Sequence, residues 1–162
     1  MEIAAQPIDA AVERTVEWVD TDASGHQHNS AVIRWVEAAE AELSRSVNLP
    51  GYFPGAPRVH QSVTYTAKLW FGQRITASIG IQHMGRSSLT YAFEVYGHAH
   101  KDSNGAVAAF GTVTVANVPQ SSATAQPWPA QFLAAISSLP SQQTNSAEPC
   151  PVMTASHGRL RK

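Results

Sequence analysis

Cysteine is nearly missing from this chain: its 162 residues hold one, Cys150, set between Pro149 and Pro151. No intramolecular disulfide can form, and a reducing compartment suits such a sequence. A nucleophilic thiol is also a poor expectation, because the polar stretch around Cys150 offers nothing to lower its pKa. Charge is sparse too, at 14% of residues with a formal net charge of -1, which argues against polyanion partners and so against nucleic acid. Nowhere is there an apolar run of about 18 residues, and Met1–Pro7 lacks both a basic region and an apolar one. Together these absences predict a soluble, cytoplasmic protein with no membrane partner. What the chain does have is 43% hydrophobic residues, enough at this length for one domain with a real core.

The apolar residues are arranged with two periods. Val12 to Val19 is rich in β-formers, with Val12, Val16 and Trp18 expected on one face. Period-two alternation recurs in Val59–Ala67, Ile75–Ile81, Leu89–Val95 and Val107–Val115. Between the first and second strands, Val32, Val36, Ala39 and Leu43 recur at helical spacing over about 30–47, while Arg34, Glu37, Glu40 and Arg45 fall largely on other faces. Asn48-Leu49-Pro50-Gly51 ends that helix, and the loop to Pro57 carries the aromatic pair Tyr52-Phe53, which could lie over a site. Gly72-Gln73, Met84-Gly85-Arg86 and Asp102-Ser103-Asn104-Gly105 read as turns, so successive strands are expected to pair antiparallel. A weak helix is expected over 129–138, and the Ser/Gln/Thr-rich stretch from 141 reads as a disordered tail, giving a domain over 1–140 and a tail over 141–162. One strand, a long helix and four more strands make an α+β fold, with a sheet curled around one helix and edges that call for a homo-oligomer.

Chemistry concentrates in Asp20-Thr21-Asp22-Ala23-Ser24-Gly25-His26-Gln27-His28-Asn29, the junction between the first strand and the helix. A carboxylate just ahead of a helix can act on a carbonyl that the unpaired amides of the first helical turn polarise. Gly25 permits an unusual backbone angle or close approach of a substrate. Asp20 and Asp22 are also the residue type that builds Asx turns and caps, His26 can orient the turn, and Asn29 can be a cap as well as a functional amide.

The pattern Asp20-x-Asp22-x-x-Gly25-His26-x-x-Asn29, followed by Arg34-Trp35-x-Glu37-Ala38-Ala39 and later by Gly85-Arg86-Ser87-Ser88, resembles the hotdog-fold acyl-CoA thioesterases of the 4-hydroxybenzoyl-CoA thioesterase type. The likeness covers roughly Val12 to Val118. It implies an antiparallel sheet of five or six strands wrapped around a central helix, in a dimer or a dimer of dimers. It further implies hydrolysis of an acyl-CoA or acyl-carrier thioester, with no cofactor beyond the coenzyme A of the substrate. By this resemblance Asp22 is the catalytic acid, as nucleophile or general base. The polarising amide falls at Asn29, and Gly25 and His26 support the turn. Arg86, with Ser87 and Ser88, is the expected contact for the coenzyme A phosphates. One departure lies at Lys68-Leu69-Trp70-Phe71-Gly72-Gln73, where relatives tend to show a proline and a Gly-Asp pair. There Trp70 and Phe71 are expected under the sheet end, across a subunit boundary or along an acyl pocket.

Three other readings stay open. The pairs His26-Gln27-His28 and His98-Ala99-His100 could ligate a metal, although zinc needs three or four convergent ligands, so no metal site is expected. A hotdog dehydratase is the second, but its glycine-histidine motif normally runs into Phe-Pro, whereas Gly25-His26 here runs into Gln27-His28. The third is a hotdog protein that binds acyl groups or partners without catalysis.

Overall fold

A computed structural model describes residues 8–101 and 103–144. Five strands, β1 (Ala10–Thr15), β2 (Arg58–Tyr65), β3 (Arg74–Met84), β4 (Ser88–Gly97) and β5 (Ala106–Ala116), form one antiparallel sheet in the order β1-β3-β4-β5-β2. The long helix α1 (Asn29–Ser46) packs mainly on β1 and β3, and the short helices α2 (Tyr52–Gly55), α3 (Ala130–Ser137) and α4 (Pro140–Thr144) follow it and the sheet. The alternation expected from sequence points Ile75, Ala77, Ile79 and Ile81 of β3 and Leu89, Tyr91, Phe93 and Val95 of β4 inward. Ala31, Val32, Trp35, Val36, Ala39 and Leu43 of α1 complete that core.

Two local expectations give way. Trp18 does not share the inner face of β1, because the strand ends at Thr15 and a 3-10 turn over Trp18–Asp20 rotates the indole outward, leaving it 80% exposed. Successive strands also do not all pair. The Gly72-Gln73 turn suggested β2 against β3, yet β1 occupies that edge of β3, with Ala10 opposite Ile79 and Thr15 opposite Arg74. β2 therefore crosses to the far side and pairs with β5, Tyr65 opposite Ala109. Residues 66–73 carry the chain back across the sheet end. Buried Gln27 clamps this connection: its Oε1 accepts from the Leu69 amide at 2.6 Å and its Nε2 donates to the Ala67 carbonyl at 3.3 Å.

Helical spacing alone put Glu40 on an outer face, but it is buried, at 3% exposure. Its carboxylate accepts from the Tyr52 hydroxyl at 2.5 Å and pairs with Arg58 at 2.6 Å, while the Tyr91 hydroxyl donates to that of Tyr52 at 2.9 Å. Burial pushes the pKa of both phenols far above the ordinary value, so both stay protonated and can donate. This network ties the loop after α1 to β2 and β4.

Residues 141–144, expected in the tail, belong instead to a helix. α4 continues to Thr144, and Ser141 is buried because its amide donates to Asp9 Oδ1 at 2.9 Å, while Asp9 Oδ2 accepts from Ile81. Residues 145–162, Cys150 among them, lie outside the described residues.

Arg58→Met would leave the Glu40 carboxylate buried without its cation, which costs about 3 kcal/mol. Urea unfolding should show a lower midpoint with an unchanged slope. An unchanged midpoint would mean that the ion pair contributes nothing to stability.

Candidate active site

The sequence between β1 and α1 folds as a tight hairpin followed directly by a helix start. Asp22 and His26 pair through the Asp22 amide and the His26 carbonyl at 3.2 Å, and the Gly25 amide closes the turn onto the Asp22 carbonyl at 3.0 Å. Gly25 has φ +81°, in the left-handed region that favours glycine, and a Cβ there would meet nothing within 4 Å. Backbone conformation, not steric room, is what this position requires.

The two aspartates have separate environments. Asp20 is buried: its Oδ2 accepts from the Glu17 amide at 3.0 Å, its Oδ1 pairs with Arg34 of α1 at 2.5 Å, and its carbonyl accepts from the His28 amide at 2.7 Å. Asp22 is exposed, and its Oδ1 accepts from both the amide, at 2.8 Å, and the hydroxyl of Ser24. The Ser24 hydroxyl, then the Ser24 amide, hold the Asp22 carboxyl below its ordinary pKa, assisted by the positive ends of His26 and His28. The carboxylate is ionised throughout the neutral range.

At the helix start, the cap is His28, where sequence had suggested Asn29. His28 Nδ1 accepts from the Ser30 amide at 3.1 Å, and the His28 carbonyl accepts from the Ala31 amide at 2.9 Å. Asn29 is the first helical residue, and its amide hydrogen has no acceptor among the described residues. Its carbonyl is held by the Tyr65 hydroxyl at the end of β2, at 3.0 Å. An open helix-end donor thus lies seven residues after an ionised carboxylate, across a closed hairpin.

His26 is half-buried, with Nδ1 3.3 Å from the Gln27 carbonyl and its ring edge-on to Trp70 at 6.0 Å between centroids. Trp70 and Phe71 are exposed on the rim of this sheet end, and Tyr52 packs under the opposite end. Sequence reasoning missed Ser24 and Tyr65. The Asp-x-Ser spacing of 22–24 was a readable signal for the first, whereas nothing local relates Tyr65 to Asn29, 36 residues away.

Arg86, Ser87 and Ser88 do not join this group within one protomer. They turn the chain between β3 and β4 at the end of β3 remote from Arg74, and 11 residues of strand span about 36 Å. Arg86 is exposed, with no ion pair or side-chain hydrogen bond among the described residues. His98 Nε2 is engaged by Thr76 Oγ1 at 2.8 Å, and among the described residues no three potential metal ligands converge.

The family profile described as the thioesterase superfamily matches residues 24–100. The fold around them is the hotdog. It is similar to a predicted thioesterase from Bacillus stearothermophilus, at 23% identity and TM-score 0.69 over 78% of this chain and 92% of that one. It is also similar to a 1,4-dihydroxy-2-naphthoyl-CoA thioesterase from Synechocystis, at 18% identity and TM-score 0.66 over 80% and 96% of the two chains. The 4-hydroxybenzoyl CoA thioesterase from Pseudomonas sp. strain CBS-3 shares 16% identity at TM-score 0.69 over 77% and 96%. No curated protein gives a significant match. No helix among the described residues of this hotdog chain is long and apolar enough to cross a membrane.

Ser24→Ala removes the larger of the two bonds that depress the Asp22 pKa. A carbon-13 titration of the Asp22 carboxyl should therefore show its pKa rising toward the ordinary value. No rise would show that the serine hydroxyl does not hold the carboxylate.

Proposed function

We propose that this chain is a cytoplasmic thioesterase that hydrolyses an acyl-CoA or acyl-carrier thioester to free acid and thiol. The observation that carries the reading is that one short junction holds both an ionised, exposed carboxylate, Asp22, and the open amide of Asn29 at the helix start. Thioester hydrolysis needs both, an oxygen that attacks and a donor where negative charge grows on the carbonyl oxygen. The superfamily match supports a thioester hydrolase, and two similar structures are named for aromatic acyl-CoA substrates, which supports coenzyme A as the thiol.

The Asn29 amide polarises the thioester carbonyl. Asp22 then acts by one of two routes. As nucleophile, its carboxylate oxygen bonds to the carbonyl carbon, the carbon–sulfur bond breaks, thiolate leaves and takes a proton, and water hydrolyses the resulting anhydride. As general base, it takes a proton from a water whose oxygen attacks the same carbon, and the thiolate departs. Gly25 fixes the turn that presents Asp22, and His26 positions that turn against Trp70.

The working unit in this reading is a homo-oligomer, a dimer or a dimer of dimers. β2 is one of the sheet's two outer strands, with one side unpaired and most of its residues exposed. Two-fold antiparallel pairing of β2 with its counterpart would reverse the partner's direction. The partner's Arg86-Ser87-Ser88 turn would then lie at the Asp22 end of the joined sheet, where its guanidinium could meet the coenzyme A phosphates.

With a panel of short, long and aromatic acyl-CoA substrates, thiol release by the protein should exceed that of Asp22→Asn by about 100-fold or more on at least one substrate. Equal rates on every substrate would defeat the enzyme reading. A single turnover in oxygen-18 water tests the nucleophilic route: label in the Asp22 carboxylate requires an anhydride opened at the Asp22 carbonyl, which the general-base route cannot give. Sedimentation as a 17.4 kDa monomer would defeat the oligomer.

A further inference from the structure

Helix starts are usually held by Ser, Thr, Asp or Asn, whose acceptor oxygens do not change in the neutral range; here the cap is a histidine, whose acceptor does. The atoms around His28 show which form of the ring does the capping. The Ser30 amide, which can only donate, meets its Nδ1 at 3.1 Å. The Ser30 hydroxyl lies 2.8 Å from the same nitrogen, and its oxygen already accepts from Arg34 Nη1 at 3.2 Å, so its own proton turns to Nδ1. Two donors converge on one ring nitrogen, which can receive them only as a lone pair. The ring is therefore neutral and carries its single proton on Nε2, on a side chain open to solvent.

A second proton would go to Nδ1 and take that lone pair. The Ser30 amide and hydroxyl would then face an N–H, and a new cation would stand beside the positive end of α1. Either the ring swings away or the first turn opens. Asn29 lies in that turn, and its amide is the donor left over when the His28 ring and carbonyl take the next two. We propose that His28 is the positioning residue of the Asn29 amide, holding this donor in place while its ring is neutral and releasing it when Nδ1 is protonated. Mild acid then stops hydrolysis by removing the preorganised donor, with the attacking carboxylate still in place. The charged and ionisable groups around the cap are Asp22 and His26 of the hairpin, Arg34 and Asp20 beyond Ser30, and Tyr65 of β2 beyond Asn29. Asp22 is held below its ordinary pKa by Ser24 and stays ionised, and burial raises that of Tyr65, which stays a phenol. The side chains of His26 and Asp20 bond elsewhere, to the Gln27 carbonyl and to the Glu17 amide and Arg34.

The proposal deepens the thioesterase reading, and two measurements keep the two apart. The first needs no turnover. In nitrogen-15 and proton spectra of the full chain, His28 should carry its proton on Nε2 at about pH 7.5, and the Ser30 and Asn29 amide shifts should follow its ring as the pH falls to about 5.5. Amides that stay fixed over this interval, or a ring protonated on Nδ1 at its upper end, would overturn the proposal. The second measurement is kinetic. On the acyl-CoA that the protein hydrolyses fastest, kcat should fall about tenfold or more over the same interval, with KM changed much less. His28→Asn, whose amide oxygen accepts without titrating, should lose that fall. An equal fall in His28→Asn would also overturn the proposal. If the unmodified protein releases no thiol from any substrate, it is the thioesterase reading that falls, and the amide shifts still decide the role of His28.

Discussion

The buried carboxylate of Asp20 is the contact on which the site depends. With its two oxygens and its carbonyl it holds the Glu17 amide, the Arg34 guanidinium and the His28 amide, and so joins the end of β1 to the first turns of α1. A carboxylate taken out of water is stable only when its lone pairs are matched, and these partners match them. Because the ends of the hairpin are fixed in this way, the intervening residues have only one short path to follow. Gly25 closes it with a positive φ, and Asp22 is presented at the turn, in solvent. Two residues of the same type, two positions apart, thereby have opposite surroundings: one is buried and holds the junction, and the other is exposed.

The amide at Asn29 is open for a related reason. Helix starts leave their first donors without internal partners, and a cap normally satisfies one or two. Here the cap is the His28 ring, which takes the Ser30 amide, while the His28 carbonyl takes that of Ala31. The amide ahead of both is left over, and Tyr65 steadies its residue from the carbonyl side. His28 therefore does the capping, and the amide of its neighbour Asn29 stays open.

The strand order decides what the site can meet. With β1 against one edge of β3, β2 has to travel to the far edge of the sheet, and α1, centred on β1 and β3, does not cover it. That leaves a strand with one open edge whose Tyr65 end adjoins Asn29 and whose Arg58 end adjoins an apolar hollow lined by Tyr52, Trp128 and Phe132, some two dozen ångströms of strand apart. The exposed carboxylate and the apolar hollow therefore lie at opposite ends of the protomer.

Much of this was legible in the sequence, because it is local. Alternation and helical spacing record which side of each element is buried, so five strands, the long helix and the class of fold could be read directly, as could the turn that presents Asp22. The family profile matches residues 24–100, which begin two residues after Asp22 and run through β4. Tertiary structure decided what depends on distant partners. Glu40 has the charge of a surface residue and is buried because Arg58 and Tyr52 meet it there. Trp18 has the apolarity of a core residue and is exposed because a 3-10 turn ends its strand. The pairing of β2 with β5, the support of Asn29 by Tyr65 and the separation of Arg86 from Asp22 are likewise fixed by contacts across the fold. Periodicity carries the burial of a face, since every residue on it repeats the signal; it cannot carry the identity of a partner, which is a single contact between segments far apart in the chain.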